Sequence, residues 1–403
     1  MSGTNSYKIM CFTWNAAGLK MCETSNEVEA KKARGGFLNW MGVSKSCISP
    51  NFFEEIRSKI LQENPKIVVI TTQDEDDSKT YFHSDYLPSQ MQGINYSLFK
   101  RDKLDGVGEP ASKNPYKDLK TVGLDNPSKT AMRVSIYVLS ELINQMEIDE
   151  KEISPSFMQN KGQSEERFIT DGRTIGTIAS YIKHGNNKFL FISTHIPSGV
   201  ESLNVKDVSS YNRYRNIVIA GNRIVFHKIF SEVVDKIPNE YKPNHIFILG
   251  DLNYDIHDDD PSSLIRRLIS TTDYKTFYAK DELKEEIEQK GSALNGFKEG
   301  VDGNPGPLFL PTWNLNRNRH NCESKISNDK DNKDNKDNKN NEGCFHKPDN
   351  HHFLSIGWHD RIIYKNKDES AKKATCTFYK RLDYKNMDKS THAGVMGIFE
   401  ITP

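Results

Sequence analysis

"HIFILGDLNYDI", residues 245–256, runs four apolar residues, Ile246 to Leu249, into a glycine and then sets Asp251 and Asn253 two positions apart. An uninterrupted apolar run of this length, closed by turn-forming residues, reads as a strand buried on both faces. Side chains at i and i+2 of a strand project from one face, so the carboxylate and the amide are expected to point into one small volume. Asp and Asn are also common turn formers. Taken alone, the stretch leaves a site and a turn equally open.

The same strand signature recurs along the chain, at Lys8–Trp14, Ile67–Thr72, Arg133–Leu139, Ile175–Ile182, Lys188–Thr194, Arg361–Tyr364, Thr375–Tyr379 and Val395–Ile401. In "KIMCFTW", Ile9 and Cys11 alternate with Met10, Phe12 and Trp14, so both faces are apolar. That pattern suits a strand packed between a second sheet and a helix layer. Helical spacing appears over Phe52–Leu61 and over about Arg213–Ile237, where Ile217, Ala220, Ile224, Ile229, Val233 and Val234 recur every three or four residues. Strands outnumber helices and come in adjacent groups. The expected fold is therefore α/β, with two packed mixed sheets flanked by helices rather than one singly wound parallel sheet.

Composition sets limits on partners. The 403 residues carry 55 basic and 55 acidic side chains, so no net field draws the molecule onto nucleic acid, and a nucleic-acid partner is not expected. The N-terminus lacks an apolar signal core, and no apolar run approaches the roughly 20 residues that span a bilayer, which predicts a soluble, intracellular, cytoplasmic protein. The six cysteines have no framework spacing and are expected to be reduced. Residues 325–342 repeat Asp-Asn-Lys with no apolar residue after Ile326, and are expected to be a disordered surface insert in an otherwise single domain over 1–403. His320, Cys322, Cys344, His346, His351 and His352 lie around it without the spacing of a zinc site.

The opening pair belongs to a set of polar groups at strand ends. "CFTWNAAG" ends at Asn15, "IVVITTQDEDDS" at Gln73, Asp74 and Glu75, and "FLFISTHIPSG" at His195. "GWHDRIIY" opens with His359, Asp360 and Arg361, and His392 precedes the last strand in "THAGV". Each has a bland reading as a loop residue or solvated charge, but together they suit metal-assisted hydrolysis of a phosphate ester. Mg²⁺ takes oxygen ligands and few of them from protein, which Asn15 with Asp74 or Glu75 would supply. Asp251 fits a water-activating base, with Asn253 beside it. His195, Asn253 and a charged His392 fit donors to the phosphoryl oxygens, and Asp360 fits a partner that orients His392.

"TWNAAG", "STHIPSG", "GDLNYDI", "FLPTWN", "WHDRIIY" and "THAGV", in that order over residues 8–402, resemble the endonuclease/exonuclease/phosphatase superfamily, and within it the inositol polyphosphate 5-phosphatases. The resemblance implies a four-layer α/β sandwich, Mg²⁺ dependence and in-line attack of water on a phosphomonoester. It also implies an inositol phosphate or phosphoinositide headgroup as partner, reached by peripheral membrane contact where the substrate is a lipid. It puts Asn15 at the metal, His195 and Asn253 at the phosphate, Asp251 at the base, and Asp360 with His392 as an oriented pair. Arg361 matches the arginine of the family's Cys-Asp-Arg block, which implies that it supports that pair and helps bind the substrate.

Departures are specific. Asp74 and then Glu75 follow Gln73 where the family has Gln-Glu; Asp74 is preferred on register, with Glu75 as the fallback. Thr391 stands for an aspartate, His359 for a cysteine and Ile175 for a lysine. Asn314 stands where another lysine usually follows, and Arg213, Arg215, Arg317, Arg319, Lys380 and Arg381 are candidate replacements for the lost substrate cations. Two other classes compete with the phosphatase: a nuclease of the superfamily, and a binding module with a weakened metal site.

Overall fold

The computed structural model describes residues 7–17, 50–76, 82–105, 130–147, 176–196, 237–258, 273–313, 356–367, 373–382 and 391–402, with scattered residues over 216–235, 264–270, 315, 345, 387 and 390. The insert at 325–342, the histidines and cysteines around it, Asn314, Arg213, Arg215, Arg317 and Arg319 lie outside them.

Among the described residues, thirteen strands form two sheets. They are β1 (Tyr7–Asn15), β2 (Ile67–Asp76), β3 (Tyr96–Asp105), β4 (Thr130–Leu139), β5 (Met146–Glu147), β6 (Gly176–His184), β7 (Asn187–His195), β8 (His245–Asp251), β9 (Lys298–Val301), β10 (Asn304–Pro305), β11 (Asp360–Asn366), β12 (Ala374–Leu382) and β13 (Gly394–Ile401). The six-stranded sheet runs β12-β13-β1-β2-β4-β3, and the seven-stranded sheet runs β10-β9-β11-β8-β7-β6-β5. Each has one parallel pair at its centre, β1 with β2 and β7 with β8, and antiparallel neighbours outside it. The parallel pairs place the C-terminal ends of β1, β2, β7 and β8 at one pole of the sandwich.

Alternation explains the layers. Ile9, Cys11 and Val69 of the first sheet meet Phe189, Phe191, Phe247 and Leu249 of the second in a core between the sheets. The opposite faces carry Met10, Phe12, Trp14, Val68 and Ile70, covered by the helix Phe53–Glu63. Ile246 and Ile248 pack outward on Ile229, Val233, Val234 and Leu283. The apolar run that opened the sequence is thus buried on both faces, as its composition requires. The helix Phe53–Glu63 buries Phe53, Ile56 and Ile60 at three- and four-residue spacing, starts with Glu54 and Glu55 at its positive end, and stops at Asn64 in the left-handed conformation just before Pro65. Among the described residues no helix is long and apolar enough to cross a membrane.

Gly250 is dictated by the parallel pairing of β8 with β7. It sits opposite Thr194 with φ +147°, and a Cβ there would lie 1.7 Å from the Thr194 carbonyl oxygen. Gly250→Ala is expected to cost about 2 kcal/mol or more, because both the backbone angle and the close approach exclude a methyl group. The midpoint of urea unfolding measures it; an unchanged midpoint would show that β7 and β8 do not approach so closely.

Candidate active site

The pole of the sandwich where β1, β2, β7 and β8 end gathers the polar residues. Asn15 ends β1 and Asp251 ends β8, on different sheets, and Asn15 Nδ2 donates to Asp251 Oδ2 at 2.7 Å. Asp360 opens β11 directly across from Asp251. Its Oδ1 accepts the Asn15 backbone N–H at 2.7 Å, and its Oδ2 is 2.7 Å from His392 Nδ1. His392 Nε2 lies 3.9 Å and His195 Nε2 3.5 Å from Asp251 Oδ2. The other nitrogen of His195 is 3.7 Å from Asp74 Oδ1. Asn15, Asp74, His195, Asp251, Asp360 and His392 are all at most 4% exposed.

Asp251 answers the opening question both ways. Its Oδ1 accepts the Asn253 backbone N–H at 3.1 Å, closing a side-chain turn, while its Oδ2 faces the amide and the two imidazoles. The expected shared volume for Asp251 and Asn253 is not formed. β8 ends at Asp251 and Asn253 takes the left-handed conformation (φ +50°), so strand alternation no longer applies. Its amide donates instead to the Ile196 carbonyl at 2.5 Å, tying down the residue after His195.

Charge is distributed unevenly over the two facing carboxylates. Burial alone pushes Asp251 up, but the imidazoles of His392, His195 and His359 and the Asn15 amide together hold it below its usual range. Burial and the neighbouring Asp251 charge push Asp360 well up, against the Asn15 N–H and the imidazoles. Such pairs, driven apart by their surroundings, are a mark of acid–base sites.

Two expected site residues are placed elsewhere. A bulge between Thr72 and Glu75, with Asp74 at φ +48°, turns Glu75 to the outer face of the sheet. There Glu75 accepts from the Thr72 hydroxyl at 2.9 Å and lies 3.7 Å from both His83 Nε2 and Arg133 Nε. Arg361 follows Asp360 on the strand and so faces the other way; its guanidinium is fully buried between Asp281 and Glu299, away from the cluster around Asp251. Conversely, Thr312, Trp313, Asp255 and Ser390 belong to the surroundings of the site but were passed over in sequence. Ser390 Oγ donates to the Asn15 carbonyl at 2.8 Å and receives the His392 N–H at 3.0 Å. "PTW" and "GDLNYDI" already contained three of the four.

The chain belongs to the endonuclease/exonuclease/phosphatase family 2, whose sequence pattern matches residues 12–398. No curated protein sequence matches it. Among solved structures, it is similar to the inositol polyphosphate 5-phosphatase domain of SPsynaptojanin in complex with inositol (1,4)-bisphosphate and calcium ion, with TM-score 0.54, 12% identity, and coverage of 98% of this chain and 84% of that one. It is also similar to Cimex nitrophorin in its ferrous NO complex, with TM-score 0.51, 14% identity and 99% of each chain covered. At these identities the likeness establishes the fold, a two-sheet sandwich flanked by helices. Enzymes of the superfamily generally use divalent metal ions.

Among the described residues no group of three or more His, Cys, Asp or Glu is arranged to enclose a metal. The donor set nonetheless fits a hard cation that keeps most of its shell for water and substrate, since Asp74 and Asn15 offer oxygen atoms at the adjoining ends of β2 and β1, where Asn15 pairs with Gln73. Glu75, facing outward, does not fit.

Proposed function

We propose that the chain is a metal-dependent phosphoesterase that hydrolyses phosphomonoesters of inositol phosphates or phosphoinositide headgroups by direct attack of water. The observation that carries this reading is the meeting of Asn15, Asp251, His195, Asp360 and His392, separated by up to 377 positions in sequence, within hydrogen-bond or ion-pair distance. Asp251, ionised under the influence of three imidazoles, takes the proton of the attacking water. Asn15 holds that carboxylate through its amide. His392, fixed at Nδ1 by Asp360, keeps Nε2 toward Asp251 and donates to the phosphoryl oxygens, and His195 donates from the other side. Asn253 positions the His195 strand end through the Ile196 carbonyl. Asp74 and Asn15 would hold Mg²⁺, which neutralises charge on the phosphate when bound. The neighbour crystallised with inositol (1,4)-bisphosphate supports the inositol class.

Phosphate release from a panel of inositol phosphates, from vesicles carrying phosphoinositides, and from DNA and RNA tests the reading. Release from the inositol compounds with Mg²⁺, abolished by EDTA, is expected. No release from any of them overturns it, and cleavage of nucleic acid alone replaces it with a nuclease. A second reading, binding without turnover, is favoured by the outward Glu75, whose carboxylate is turned away from the cluster around Asp251. It predicts headgroup binding at every Mg²⁺ concentration and no product.

A further inference from the structure

A second acid–imidazole pair lies beside the first. His359 Nε2 is 2.6 Å from Asp255 Oδ1, and both side chains are at most 2% exposed. The His359 ring centroid is 6.2 Å from that of His392. The half-buried indole of Trp313 touches both, stacked nearly parallel on His359 (5.5 Å, 18°) and tilted over His392 (4.5 Å, 39°).

We propose that His359, anchored by Asp255, is a positioning residue for the phosphate site, fixing the plane of Trp313 and through that indole the orientation of the His392 ring. The inference rests on the site reading given above, and it addresses what Asp360 alone cannot do. The hydrogen bond at Nδ1 fixes where that nitrogen sits, and a contact on the ring face further restricts rotation about the Cβ–Cγ bond and so the direction of Nε2. The indole face supplies that contact.

Trp313 is itself held from two directions. Its backbone pairs with Gly357 in both directions, at 3.1 and 3.3 Å. The neighbouring Thr312 hydroxyl accepts the N–H groups of His359 and Asp360, at 2.8 and 3.0 Å, and the Thr312 carbonyl accepts the Ala393 N–H at 2.9 Å, so one residue ties together both imidazole-bearing segments. His359 is prevented from turning by Asp255, and Asp255 by the exchange of backbone and side-chain bonds with Glu282, at 2.8 and 3.1 Å. A rigid path therefore runs from Glu282 through Asp255, His359 and Trp313 to His392.

Packing alone is a poor account of this pair. Burying an acid with an imidazole carries a desolvation cost that an apolar pair of similar volume avoids. His359 Nδ1 is also buried with no hydrogen-bond partner among the described residues, a further desolvation cost. A polar anchor at Nε2 gives what an apolar filler does not, a single ring orientation.

The test is read on the full chain with ¹³C-labelled histidine rings, His392 being assigned with His392→Gln. The His392 Cε1–H resonance, displaced by the Trp313 ring current, is expected to move in His359→Ala to the position it takes in Trp313→Leu. Asp255→Asn, which keeps an acceptor for His359, is expected to hold it near the wild-type position. A folded His359→Ala with an unmoved resonance overturns the proposal. If His359→Ala fails to fold, His359→Cys, which places the cysteine usual in the family, is read in its place, and an unmoved resonance there overturns the proposal equally. Because the readout is not turnover, its failure is separable from failure of the phosphatase reading. Where turnover is found, His359→Ala is expected to lower kcat on the order of tenfold to a hundredfold with KM little changed, and Asp255→Asn to restore most of it.

Discussion

Asp251→Asn is expected to lower the rate of phosphate release by roughly 10²- to 10⁴-fold with the fold intact. The substitution is nearly isosteric and keeps an oxygen for the Asn253 N–H, so the turn at 251–253 survives. What it removes is the negative charge that His392, His195 and His359 jointly favour, and with it the acceptor of the proton from water. Asn15→Ala separates two roles. Its amide is 2.7 Å from Asp251 Oδ2, but its backbone N–H binds Asp360 and survives the change. A loss confined to kcat would mark Asn15 as the support of the base, whereas a raised Mg²⁺ requirement would mark it as a metal donor. The outcome that sinks the assignment is Asp251→Asn releasing phosphate at the wild-type rate.

Much of the fold was legible because its central strands are apolar on both faces, two of them, β1 and β8, ending in Asn15 and Asp251. β1, β7, β8 and β13 fall within a residue or two of their expected limits. β3, "YSLFKRDKLD", was missed because its second half is charged, its solvent-facing positions lying on an edge strand. The short helix Glu282–Glu288 was missed for a related reason. Its acidic sequence shows little apolar period, and its start is set by the Asp281 cap and by bonds to Asp255 rather than by an apolar face. At the site, residue types and strand ends were readable, but facing was not. One left-handed residue, Asp74, sends Glu75 to the far side of the sheet, and another, Asn253, swings its amide away from Asp251. A bulge reverses the facing of every residue after it, and nothing in "TTQDEDDS" announces one. Arg361 illustrates the opposite case. Strand alternation alone puts it on the face away from Asp360, yet its place in a familiar motif drew it toward the phosphate.

Arg361→Met is expected to destabilise the protein by about 3–5 kcal/mol, the largest stability effect of any single side chain considered. The guanidinium is bound at 2.7 Å to Glu299 through Nε, a second bond joins Nη2 to the other Glu299 oxygen, and both oxygens of Asp281 are held at 2.9 Å. The fifth direction is taken by the Trp358 carbonyl at 3.0 Å. Glu299 is held further by the Tyr379 hydroxyl at 2.7 Å. Removing the cation leaves two buried carboxylates without compensation, and that cost rather than the worth of the pair sets the magnitude. Its pH dependence follows. Burial raises Asp281 to about 6 even with Arg361 beside it, so between that value and the ordinary aspartate range the folded state binds the extra proton and this group favours folding more as pH falls. Without Arg361 the Asp281 carboxyl rises further, proton uptake by the folded variant begins at higher pH, and the deficit against wild type narrows on acidification. Urea unfolding at pH 8 and pH 5 measures both values. An equal deficit at the two pH values would mean that the cluster is held by packing and not by charge. Because Arg361 also grips Trp358, one residue before His359, the same variant loosens the segment that carries the second imidazole and Asp360, so lost stability and lost turnover are expected to appear together.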